Sequence, residues 1–109
     1  MKSAAIFRAI MHNAKLGEHD LSVRQLAVFG AIYSTDTPRE LSVRELAAEL
    51  QVSKPAITRA LDRLTVLSLV RRGANKTDRR LVSVQRTQDG DRAAADLDTI
   101  VATAMKRAA

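Results

Sequence analysis

Residues 41–65 read LSVRELAAELQVSKPAITRALDRLT and contain two short helical patterns separated by a tight turn. Ser42 and Glu45 have the capping-box spacing that starts a helix. Ser53 starts the next helix, and Pro55 lies in its first turn, where a missing backbone N–H costs nothing. Such a pair of closely spaced, capped helices is typical of a helix-turn-helix.

The second of these helices, predicted over residues 53–67, has an apolar face and a face of small polar and basic residues. A major groove about 12 Å wide admits one helix, and side chains near its N-terminus reach base edges. We therefore predict that this helix binds duplex DNA. The residues predicted to lie in the major groove are Ser53, Lys54, Pro55, Thr58, Arg59 and Arg63.

After Ser68 the apolar pattern changes from helical spacing to alternation, over residues 69–72 and again over 81–86. Turn-forming and basic residues lie between the two runs. This pattern predicts a β-hairpin with a basic tip, which would form the wing of a winged helix-turn-helix. Contacts with phosphate are predicted for Ser42, at a helix N-terminus, and for the basic residues Arg44 and Arg72.

Three further helices are predicted around this core. The first, over residues 3–15, would end at Gly17, and the second starts at Ser22 and is apolar nearly all round. The last starts at Thr87 or Asp89 and has an apolar stripe of its own.

The predicted fold class is therefore mainly α, with five helices and a small hairpin. We interpret residues 1–109 as a single domain, with a winged-helix DNA-binding core over 21–86. Segments 1–17 and 88–109 would provide dimerisation helices, or would instead close the core of the monomer.

The charge distribution favours a polyanionic partner. The chain carries a net charge of +6, and residues 44–80 hold nine basic and four acidic side chains, or +5 of that total. Aromatic residues make up 3% of the chain, too few to stack single-stranded bases. Duplex DNA is therefore the predicted nucleic-acid partner.

Other classes of function find little support in the sequence. The absence of cysteine excludes disulfides, thiolate catalysis and iron–sulfur clusters. His12 and His19 lie seven residues apart without the clustering of a metal site, and no acid–base or nucleophile arrangement is recognisable. We predict a protein that is not an enzyme, with no cofactor and no metal. No apolar run is long enough to span a membrane, which favours the cytoplasm.

The stretches 41–47, 52–64 and 69–72, together with Asp78-Arg79-Arg80, resemble the winged helix of the multiple-antibiotic-resistance regulator (MarR) family. The resemblance covers roughly Leu21 to Gly90, and the Asp-Arg-Arg at the wing tip is its most specific part. Arg86 departs from the family, which has an apolar residue before Thr87.

This resemblance implies a homodimeric transcription factor, usually a repressor, that binds a palindromic operator in the bacterial cytoplasm or nucleoid. By position, Arg80 would enter the minor groove while Asp78 orients the arginines. Phosphate or sugar contacts would then come from Asn75, Lys76 and Arg79. The flanking helices are shorter than in many relatives, which leaves a small-molecule effector an open question.

Two alternatives remain at this point. A nucleoid-type protein would coat DNA through phosphates alone, with a steep salt dependence and little specificity. A winged helix can also serve as a protein-interaction module whose basic face meets an acidic partner.

Overall fold

The computed structural model describes residues 3–6, 8, 15, 16, 19–34 and 40–108. The helices within these residues are α1 (helical at 3–6 and 8), α2 (Val23–Tyr33), α3 (Val43–Leu50), α4 (Lys54–Val66) and α5 (Gln88–Ala108). The strands are β1 (Lys15–Leu16), β2 (His19–Asp20), β3 (Val70–Ala74) and β4 (Val82–Arg86). This order confirms the predicted winged helix-turn-helix with five helices.

The described residues fall into two compact units. Those between Ser22 and Asp91 form the first, which we call the winged unit, and those up to Leu21 and from Arg92 onward form the second. The prediction that the whole chain is a single domain stays a prediction. No helix in the described part of the chain is long and apolar enough to cross a membrane.

Helix α2 begins with the predicted capping box. The Ser22 hydroxyl accepts a hydrogen bond from the Gln25 N–H at 3.1 Å, and the Gln25 side chain accepts one from the Ser22 N–H at 3.0 Å. The helix buries Val28, Phe29 and Ile32, whereas Val23 is 59% exposed. The helix therefore has apolar residues on nearly every side, but it is not buried on every side.

Helix α3 is capped at both ends by short-range hydrogen bonds. The Ser42 hydroxyl accepts from the Glu45 N–H at 3.1 Å, but it also donates to the Glu45 carboxylate, a bond that the predicted capping box would assign to the Ser42 N–H. At the other end Gln51 adopts a left-handed conformation, with φ 55° and ψ 46°. The N–H groups of Gln51 and Val52 then both donate to the Ala47 carbonyl, which closes the turn before α4.

The conformation of Gln51 leads to a prediction about stability. A side chain with a Cβ is disfavoured in the left-handed region, where glycine is not. We expect Gln51→Gly to raise the free energy of unfolding by roughly 0.5 to 1 kcal/mol, measured by urea denaturation. Ala48→Gly, on the exposed face of the same helix, should instead lower it by roughly 1 kcal/mol. A loss of stability in Gln51→Gly would contradict this account.

Helix α4 follows its predicted boundaries. The Ser53 hydroxyl accepts from the Ala56 N–H at 3.3 Å, and Pro55 occupies the first turn. The inward residues are buried, and they are Ala56, Ile57, Ala60, Leu61 and Leu64. At its end, the N–H of Ser68 donates to Thr65 and that of Leu69 donates to Leu64, a Schellman motif that directs the chain into β3.

The wing is an antiparallel hairpin with one addition that the sequence pattern did not predict. Strands β3 and β4 pair from Val70 opposite Arg86 to Ala74 opposite Val82. Leu41, just before α3, also pairs with Val84, whose N–H donates to the Leu41 carbonyl at 2.7 Å. A backbone hydrogen bond therefore joins the start of the helix-turn-helix to strand β4 of the wing.

A polar junction lies where the wing ends and α5 begins. The Tyr33 hydroxyl donates to the Leu69 carbonyl at 2.7 Å and accepts from the Thr87 N–H at 3.1 Å. Arg86 donates through Nε to the Ile32 carbonyl at 3.1 Å and lies 5.2 Å from the Tyr33 ring centroid. Arg86 thus places a cation at the C-terminal end of α2, where the helix dipole favours it.

In the second unit, one boundary of the predicted helices is wrong. Lys15 was expected in the first helix but lies in β1, which pairs antiparallel with β2 through Lys15–Asp20 and Leu16–His19. This pairing engages backbone groups that a continuing helix would have used. Gly17, the predicted end of that helix, lies outside the described residues.

Candidate nucleic-acid interface

The residues predicted to lie in the major groove are all exposed, at the N-cap of α4 or on its outer face. They are Ser53, Lys54, Pro55, Thr58, Arg59 and Arg63. Positions three and four apart on a helix share a face, so Thr58 lies beside Lys54 and Arg59 lies beside Pro55 near the start of α4. In the described structure no hydrogen bond or ion pair occupies the side chains of Lys54, Arg59 or Arg63. These cations are available to a ligand.

Asp62, the acidic residue on the same face, is paired with the wing. Its carboxylate lies 2.6 Å from Nη2 of Arg72 on β3, and the two side chains are 57% and 30% exposed. Ion pairs this accessible stabilise a fold by only about 0.2 to 1 kcal/mol. The pair partly neutralises the acidic group on α4, and it engages Arg72, one of the predicted phosphate contacts.

Asn75 is part of the internal framework of the wing tip. Its side-chain oxygen accepts from the N–H groups of Thr77 and Asp78 at 2.8 and 2.9 Å. Its amide nitrogen donates to the hydroxyl of the fully buried Ser83 at 2.8 Å. These bonds hold the tip in an Asx-type turn, so the side chain of this predicted DNA contact is already engaged within the protein.

Asp78 and Arg80 form a two-pronged pair at the wing tip. One carboxylate oxygen accepts from the backbone N–H of Arg80 at 3.1 Å and from its Nε at 3.0 Å, while the other accepts from Nη2 at 3.1 Å. These bonds, first those from the Arg80 side chain, hold the pKa of the Asp78 carboxyl below its usual value. The Arg80 side chain is nevertheless 89% exposed, so the pair can orient its guanidinium without covering it.

Lys76 and Arg79 complete the basic tip with exposed side chains. The backbone N–H of Lys76 donates to both carboxylate oxygens of Glu40, at 3.2 Å each. Glu40 could not be identified from the sequence, because no pattern connects it with a residue 36 positions later.

The remaining predicted phosphate contacts lie on α3. Arg44 is exposed, whereas the Ser42 hydroxyl is engaged in capping the helix. The structure thus brings basic groups together on α4 and on the wing tip of one unit, and leaves Ser42 with a role in the fold.

No group of three or more histidine, cysteine, aspartate or glutamate side chains within the described residues could hold a metal ion. His12 is not among those residues.

Comparison with known proteins places this geometry in a wider group. A family model described as MarR family matches residues 19–81, more than half of the chain. No curated protein matches the chain.

Several solved structures share the fold. RV1404 from Mycobacterium tuberculosis is 20% identical with a TM-score of 0.81, over 96% of this chain and 69% of that one. The transcriptional regulator PA3341 is 28% identical with a TM-score of 0.73, over 97% and 74% of the two chains. CouR from Rhodococcus jostii RHA1, solved with p-coumaroyl-CoA, is 25% identical with a TM-score of 0.73, over 98% and 69%.

The family model extends from the residues before α2 through the helix-turn-helix to the wing tip, which is also the region where the exposed basic groups lie. The chain therefore belongs to the MarR family, a family of DNA-binding transcriptional regulators.

Proposed function

We propose that the protein is a homodimeric, sequence-specific repressor that binds a palindromic operator, with α4 in the major groove and the wing, residues 73–80, in the minor groove. One observation carries the proposal. The winged unit presents two sets of exposed cations, one on the outer face of α4 and one on a wing tip held by its own hydrogen bonds.

The chemistry of α4 suits base readout. Lysine and arginine side chains favour the O6 and N7 acceptors of guanine, which assigns such contacts to Lys54 and Arg59. Thr58 and Pro55 offer small apolar surfaces to a thymine methyl group. Arg63, one helical turn beyond Arg59, would contact the phosphate backbone or the edge of the site.

The wing suits a different kind of contact. A narrow minor groove concentrates negative potential, and an inserted guanidinium is attracted to it. Arg80, oriented by Asp78, is the candidate for that insertion, while Lys76, Arg79 and Arg44 would bind neighbouring phosphates.

The proposed dimer rests on α5. Leu97, Ile100 and Val101 on its apolar stripe remain only partly buried, and Met105 is 53% exposed. A second copy of the helix across a two-fold axis would cover this surface, and two-fold protein symmetry demands a palindromic site.

The decisive experiment is selection of bound duplexes from a random-sequence library, followed by affinity measurements on the selected and the scrambled sequence over a range of salt. We expect a palindromic consensus, with half-sites about one helical turn apart, bound at least 10³-fold more tightly than the scrambled duplex.

Other outcomes would contradict the proposal in distinct ways. Equal affinity for both duplexes, with a steep salt dependence, would indicate a nucleoid-type protein. A single asymmetric half-site would contradict the dimer. No retention of duplex DNA even at low salt would indicate a protein-interaction module.

A further inference from the structure

Two carboxylates lie beside the surface that we propose for DNA binding, and both hold the wing. Asp62 projects from α4 and pairs with Arg72 on β3 at 2.6 Å. Glu40 precedes α3 and is next to Leu41, the residue that pairs with Val84. Its carboxylate accepts a hydrogen bond from the Lys76 N–H. Together they fasten one strand of the wing and its tip to the helix-turn-helix.

Negative charges near a DNA-binding surface ordinarily weaken binding, because they repel phosphates. Neither carboxylate can be explained by a large contribution to stability, since the Asp62–Arg72 pair is solvent-accessible and the Glu40 bond also lies at the surface. Both hydrogen bonds instead restrict the position of the wing relative to the helix-turn-helix. The α4 side chains and Arg80 must meet two different grooves of the same duplex, so the distance between them has to be kept.

We infer that Asp62 and Glu40 are positioning residues that hold the wing at the spacing from α4 needed for simultaneous contact with the major and minor grooves. This inference rests on the proposed function. It also assigns Arg72 a role in orienting the wing, acting through Asp62.

The sign of the effect distinguishes this role from simple electrostatics. Asp62→Asn and Glu40→Gln each remove one negative charge, and repulsion alone would make both variants bind operator DNA more tightly. We expect each to bind about three- to tenfold more weakly, which is in the usual range for coupled residues. Asp20→Asn makes the same change of charge at an exposed residue outside the winged unit and outside α5, and it should show no loss.

Coupling to Arg80 provides the readout that a purely structural role would not affect. If the carboxylates act by aiming the wing, their loss should cost little once Arg80 is removed. In an Arg80→Ala background, adding Asp62→Asn or Glu40→Gln is therefore expected to change affinity less than about twofold. Thermal unfolding of each single variant should stay close to that of the parent protein.

The experiment is a set of operator titrations on the full chain: the parent protein, Asp62→Asn, Glu40→Gln, Asp20→Asn and each combination with Arg80→Ala. Unchanged or tighter binding of both single variants would overturn the inference. The inference would also be overturned if Asp62→Asn and Glu40→Gln reduced affinity equally in the parent protein and in the Arg80→Ala background. If Arg72 contacted phosphate independently of Asp62, Arg72→Gln would lower the salt slope by about 1 while Asp62→Asn would not weaken binding. Failure of the parent protein to bind the selected duplex would instead refute the proposed function.

Discussion

Gly90→Ala is expected to lower the free energy of unfolding by roughly 3 kcal/mol or more, the largest effect of any single change considered for this fold. A Cβ at this position would lie 1.7 Å from the Tyr33 hydroxyl oxygen and 2.3 Å from the Leu69 carbonyl oxygen. These two oxygens are themselves joined by a 2.7 Å hydrogen bond, and the carbonyl belongs to the backbone. The methyl group therefore forces apart the junction between the wing and α5.

Urea denaturation of the variant beside the parent protein measures this loss. Gly30→Ala is the matched control, because a Cβ there meets nothing within 4 Å and Gly30 lies inside α2. Alanine is the better helix former by about 1 kcal/mol, so the control should gain stability. A Gly90→Ala protein within about 1 kcal/mol of the parent would contradict the packing described at Tyr33.

Arg80→Ala is expected to weaken operator binding by about 1 to 3 kcal/mol, or roughly 5- to 150-fold, with little effect on folding. The side chain is 89% exposed and makes its described bonds only with Asp78, so its removal leaves the core intact. The lost affinity would come from the minor groove, whose negative potential attracts an inserted guanidinium.

Titration of the selected duplex, by fluorescence anisotropy at fixed salt, measures this change. Arg80→Lys should recover only part of the affinity, because an ammonium group cannot reproduce the fork that pairs with Asp78. Arg24→Ala, at an exposed position in the first turn of α2, removes the same charge and should bind nearly as the parent does. Equal affinities for Arg80→Ala and Arg24→Ala would remove the wing from the proposed interface.

Local signals in the sequence were sufficient for much of the fold. Ser22, Ser42 and Ser53 cap helices where the pattern placed them, because a cap depends on residues within one helical turn. The apolar spacing of α4 also separated its buried face from its exposed face, and alternation after Ser68 located the wing.

What the sequence could not predict depends on contacts between distant residues. Glu40 and Lys76 are 36 positions apart, as are Tyr33 and Leu69, and no periodicity connects either pair. Such contacts are decided by the packing of whole elements. Lys15 is a different case. The sequence before it has the apolar spacing of a helix, but Lys15 itself pairs with Asp20 as part of a strand.

The candidate site was predictable as a set of residues, but not as an arrangement. Lys54, Arg59 and Arg80 are exposed where the helix and wing patterns put them. Arg72, predicted from its charge and position, is instead engaged by Asp62, and Asn75, whose contact the resemblance implied, is engaged by Ser83. Sequence indicates which side chains are polar, whereas only packing decides which of them have partners within the protein.

The pairing of Leu41 with Val84 also has a consequence for hydrogen exchange. Val84 is 1% exposed, and its amide donates across to a residue that leads directly into α3. That amide can meet solvent only when the wing separates from the helix-turn-helix, so its exchange should require opening of the winged unit as a whole. Amides at the tip, such as that of Thr77, are tied only to a neighbouring side chain and should exchange through local fluctuations. We therefore expect the amides of the wing tip to exchange faster than those of its base, which open together with the helices.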